Sequence, residues 1–138
     1  MNTTAYVQAE AHRLDCAANM AIVRIRRSQS VSQIARGMAL PVPPILRSLR
    51  NLSPSIMRVR SEAHRRAESI VRAQVATLGE IRDETEFLQK RGAFLKEWIQ
   101  LNGHFPRLAT YVKVECDRRL AQIRASHLNP RRDAPSTL

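Results

Sequence analysis

VSQIARGMALPVPPILRSLR, residues 31–50, decides the fold of this chain. Ser30 is a good amino-terminal cap, so a helix is expected over Val31–Ala39, with Leu40-Pro41 ending it. Pro43 and Pro44 suit the first turn of a second helix, where a missing N–H costs nothing. Ile45, Leu46, Leu49 and Leu52 give that helix an apolar side, and Asn51-Leu52-Ser53-Pro54 closes it. The stretch reads as two short helices joined by a tight turn.

Outward from this unit the pattern stays helical. Thr3 or Thr4 can cap a first helix that reaches about Ala18 or runs on through Ile25. Ser55-Ile56-Met57-Arg58-Val59-Arg60 alternates in part and is rich in branched residues, so a short β wing or connector is expected over 55–60. From Ser61 to Leu101 a long helix or helical hairpin is expected. There Ala67, Ile70/Val71, Val75 (or Gln74), Leu78, Ile81, Leu88, Leu95 and Ile99 recur at steps of three and four, and Gly79 and Gly92 are candidate breaks. Asn102-Gly103 should end this segment, and Pro106 should open a last helix faced by Leu108, Val112, Cys116, Leu120 and Ile123. The fold class is therefore all-α. Its expected divisions are a module over 1–60, a helical packing or oligomerising region over 61–128, and a flexible tail over 129–138.

Charge carries most of the functional information. The 138 residues hold 23 Lys+Arg against 12 Asp+Glu, a net +11, and twenty of the basic residues are Arg. Guanidinium forks match phosphate oxygens and guanine edges better than ammonium groups do. Residues 1–75 hold twelve Arg and four acids, whereas 76–138 hold eleven basic and eight acidic residues, so the first half is the one suited to a polyanion. A GC-rich genome would also raise the Arg:Lys ratio, but not the net charge.

Other chemistries find little support. The longest charge-free run, Gly37–Leu46, is ten residues with three prolines, so no membrane span is expected. The opening residues lack a basic-apolar export pattern, which makes the cytoplasm the expected location and Cys16 and Cys116 free thiols of the small core type. His12, His64, His104 and His127 do not share metal-ligand spacing with the cysteines. No phosphate-cradling glycine loop or hydrolase elbow appears, so neither an enzyme nor a cofactor is expected. Glu80, Asp83, Glu84 and Glu86 read as a solvated acidic face pairing with Arg82, Lys90 and Arg91. Phe87, Phe94 and Trp98 are expected in the core. The six aromatics do not interleave with the Arg cluster, which argues against single-strand stacking.

Residues 31–50 resemble the helix-turn-helix of bacterial and phage DNA-binding regulators. Ala35 stands where the two helices touch, and Ile34, Met38, Leu40 and Ile45 stand where inner faces are apolar. The pattern departs at Ala39, where a turn glycine is usual, at Ser48, usually apolar, and at Pro43-Pro44, which removes two amide donors. The resemblance implies a recognition helix in the major groove of double-stranded DNA, with Arg47, Ser48, Arg50 and Asn51 facing the bases. Arg24, Arg26, Arg27, Arg36, Arg58 and Arg60 would grip phosphates. It implies a sequence-specific transcriptional regulator, dimeric or of higher order, with coiled-coil-like association through residues 61–101. Two alternatives stand beside it. One is a plain helical hairpin with a solvated Arg face; the other is a non-enzymatic structural or adaptor component of a phage particle, DNA-packaging complex or ribonucleoprotein.

Overall fold

A computed structural model describes residues 3–40, 42 and 54–128. The described residues form five helices and no strand: α1 (Thr3–Arg27), α2 (Val31–Gly37), α3 (Pro54–Gly79), α4 (Glu84–His104) and α5 (Pro106–Leu128). The chain forms two compact units, Met1–Ile70 and Val71–Leu138, so α3 supplies residues to both. The expected division at residue 60 falls inside α3. The recognition-helix residues and the expected tail lie outside the described residues.

In the first unit, α1 buries a stripe of Leu14, Ala18, Ala21, Ile22 and Ile25. Cys16, expected as a small core residue, is exposed instead, because it lies on the side of the helix opposite Leu14 and Ala18. Its Sγ sits 3.6 Å from Nε2 of His12, one turn back. After α1, Ser30 caps α2 in extended conformation, its side chain accepting from the Gln33 amide. Gln33 reaches back to accept from the Gln29 N–H at 2.7 Å, so one amide of the first turn and one just before the cap gain partners. Gly37 ends α2 against α1: a Cβ there would lie 3.1 Å from Cγ1 of Ile25, so the missing side chain permits the close approach. No described residue other than glycine has positive φ, so Ala39 stands in the turn without backbone strain.

The β wing expected over 55–60 is absent, and those residues form the first turns of α3. Pro54 takes the first helical position, and Ile56, Val59, Ala63, Ala67 and Ile70 are buried at steps of three and four. That stripe spans about four turns, so burial along one helical face outweighs the strand preference of two branched residues. α1 and α3 lie side by side and run parallel. Asp15 meets Ser55 and Arg58, Asn19 meets Arg58, Arg26 meets Glu62, and the Ser28 carbonyl accepts from Arg66 at 2.8 Å.

In the second unit α4 and α5 form an antiparallel pair. Trp98 Nε1 donates to the Ala109 carbonyl at 3.4 Å near the turn, and Glu84 binds Arg124 at the far end. Thus Glu84 reaches across to α5 rather than to Arg82, Lys90 or Arg91. Asp83 caps α4, accepting from the Glu86 amide at 2.9 Å. Arg119 donates to the Ile81 carbonyl at 2.6 and 3.2 Å, fixing the α3–α4 connection. Of the two glycines proposed as breaks, Gly79 ends α3 while Gly92 lies inside α4. The helix also passes through Asn102-Gly103 and ends at Phe105, whose amide donates to Leu101 at 2.7 Å.

The interruption at 80–83 resets the helical phase. Leu95 and Ile99, expected on the apolar side, are 45% and 74% exposed, while Phe87, Phe94 and Leu101 are buried. On α5, Leu108, Val112, Cys116 and Ile123 are buried and Leu120 is half-buried. Burial raises the Cys116 thiol pKa, with the neighbouring Arg91 charge opposing the rise. Phe87→Ala should therefore cost about 3–5 kcal/mol in chemical denaturation. With a thiol-specific chromogenic reagent, Cys16 should react in the folded protein and Cys116 only on unfolding.

Candidate nucleic-acid interface

By composition, the first unit sets eleven Arg against four acids, and each of the four acids has a basic partner within the unit. Glu10 holds Arg13 at 3.0 Å, and Asp15 holds Arg58 at 2.9 Å. Glu62 binds Arg26 and has Arg65 at 3.6 Å, while Glu68 has His64 at 3.8 Å. Two of these contacts, Asp15–Arg58 and Glu62–Arg26, bridge residues about forty positions apart and close the α1–α3 seam. The hydrogen bond from Arg26 holds the Glu62 carboxyl below its ordinary pKa, against the opposing effect of burial.

The six residues expected at phosphates divide accordingly. Arg26 and Arg58 are engaged in the seam; Arg58 donates both to Asp15 and to the Asn19 side chain, each at 2.9 Å. Arg24 and Arg27 stand about one turn apart on exposed α1, where cations also suit the helix carboxyl end. Arg36 is exposed on α2, with Nε 3.5 Å from the Ser32 carbonyl. Arg60 is exposed on α3. Among the described residues, Arg24, Arg27, Arg36 and Arg60 have no carboxylate partner. They are therefore the guanidinium groups most available to an external anion.

Arg47, Ser48, Arg50 and Asn51 lie outside the described residues. What precedes them is consistent with a supporting helix: Val31 and Ile34 are fully buried and Ala35 is half-buried. Sequence reading missed Asp15, Asn19, Glu62, Arg65 and Arg66 as parts of this surface. Their roles depend on contacts distant in the chain, which no local spacing encodes.

The second unit has a different electrostatic character. A groove of about 990 Å³ has Leu78 and Phe94 in its wall, but Asp83 and Glu86 line it together with Lys90 and Lys96. Mixed signs there give no focused field for a polyanion. Among the described residues no group of three or more His, Cys, Asp or Glu is placed to hold a metal ion. No described helix is long and apolar enough to cross a membrane.

Because the folded Glu62 pKa is lowered, its stabilising effect is complete above the unfolded carboxyl pKa and is lost as pH falls through the folded value. Glu62→Gln should cost under about 1 kcal/mol at neutral pH, given how exposed its Arg partners are. Urea unfolding of the two proteins should converge in strong acid. Compared with known protein families, curated proteins and solved structures, the chain matches none.

Proposed function

We propose that this protein binds double-stranded DNA through its first unit and acts as a sequence-specific transcriptional regulator. The observation that carries this reading is the fate of the four acids: each serves an internal contact, leaving Arg24, Arg27, Arg36 and Arg60 exposed without a carboxylate. A surface of that kind is suited to phosphate, and multiple guanidinium contacts give strongly salt-dependent affinity. Base discrimination is assigned to Arg47, Ser48, Arg50 and Asn51, in the segment that resembles a recognition helix. The capped and buried α2 that leads into it supports the resemblance.

Association through residues 61–101 belongs to the same proposal. Leu95 and Ile99 are exposed one turn apart on α4 and are the apolar side chains available to a second copy. The same pair favours the adaptor reading, in which this surface docks on a larger assembly. Duplex preference separates the two, since an adaptor would not discriminate among sequences.

In a mobility-shift assay on duplexes selected from a random pool, Arg47→Ala with Arg50→Ala should weaken the selected duplex by about 1–3 kcal/mol per lost bidentate contact. An unchanged affinity removes the recognition-helix assignment. Leu95→Glu with Ile99→Glu should lower the apparent mass in gel filtration if association uses α4.

A further inference from the structure

α3 has two polar flanks with different employment. Ser55, Arg58, Glu62 and Arg66 form the flank bonded to α1. Two residues further along a helix is a turn of about 200°, so Arg60, His64 and Glu68 project from the other side. With Ser61 and Arg65 they surround a shallow depression of about 470 Å³ whose walls come from α3 alone.

The chemistry of this depression is that of an anion receiver. Arg60 has no carboxylate partner among the described residues, and the Arg65 side chain is 77% exposed. Arg65 lies 3.6 Å from Oε2 of Glu62, a longer pairing than the one Arg26 makes with Oε1 of the same carboxylate. Ser61 and His64 line the same depression and bring a hydroxyl and an imidazole, both hydrogen-bonding groups. Glu68 is the one acid lining the depression, 3.8 Å from His64. Two forked cations with a hydroxyl beside them fit phosphodiester oxygens better than carbonyls or apolar groups.

We infer that the Arg60–Arg65 flank of α3 is a backbone clamp for duplex DNA, binding phosphates without reading sequence. It adds Ser61, His64 and Arg65 to the contacts expected from sequence, and it rests on the reading of the first unit as DNA-binding. Contacts of this kind fix register and orientation while bases are read elsewhere.

The test uses the full chain and a fluorescent duplex titrated over about 50–200 mM salt, the range in which phosphate contacts express themselves. Arg60→Gln with Arg65→Gln should flatten the slope of log K against log salt by about two, at roughly 0.9 per lost phosphate contact. The loss of affinity should be equal for selected and scrambled duplexes. Glu68→Gln should act in the opposite direction and tighten binding. Arg107→Gln with Lys113→Gln, which removes the same charge from the second unit, should leave the slope unchanged. An unaltered slope in the Arg60/Arg65 variant, with the unmodified protein still binding, overturns the clamp and spares the DNA reading. Failure of the unmodified protein to bind any duplex overturns both. Equal helical circular dichroism of the variants excludes misfolding as the cause of a flattened slope.

Discussion

Eleven guanidinium groups and four carboxylates have to share one small unit, and the way that imbalance is accommodated shapes everything else about it. Every carboxylate is placed where it does structural service. Asp15 and Glu62 join the two parallel helices, while Glu10 and Glu68 make local contacts on their own helices. Arg66 takes a further seam position by donating to a carbonyl at the end of α1. Surface pairs of this kind each contribute little to stability. Their larger effect is on geometry and field: they set α1 against α3 and leave Arg24, Arg27, Arg36 and Arg60 exposed.

The seam is polar at its margin and apolar beneath. Ala18, Ala21, Ala63 and Ala67 are all fully buried. Gly37 permits the close approach where α2 meets α1. The first unit thus builds its core from small and aliphatic side chains, with none of the chain's phenylalanines or its tryptophan. The second unit is built differently, around Phe87, Phe94, Leu101 and Phe105 on and beside α4.

Much of the fold could be read from the sequence because its signals are local. Ser30 as a cap, Pro106 as a first helical residue and the i, i+4 face of α5 all act within a turn or two, whereas Pro54, read as closing the preceding helix, opens α3 instead. The errors arose where local preference met a longer-range requirement. Ile56 and Val59 suggested a strand because they are branched, yet they begin a buried stripe that continues to Ile70. Leu95 and Ile99 suggested a buried face because they continue an earlier period, but the interruption at 80–83 rotates the following helix. For the candidate interface, the abundance of Arg was plain in the sequence. Which Arg residues remain available was not, since Arg26 and Arg58 find their carboxylates 36 and 43 residues away.

The lone indole has an experimental consequence. Trp98 lies in the second unit, where it donates to Ala109, while the first unit contains only the exposed Tyr6 among the larger fluorophores. Emission excited at the red edge of absorption therefore reports on α4 and α5 and is blind to α1 and α2. Far-ultraviolet ellipticity sums over every helix. Recording both signals on one sample would resolve whether the amino-terminal and carboxy-terminal units melt together or in sequence, with no extrinsic dye attached.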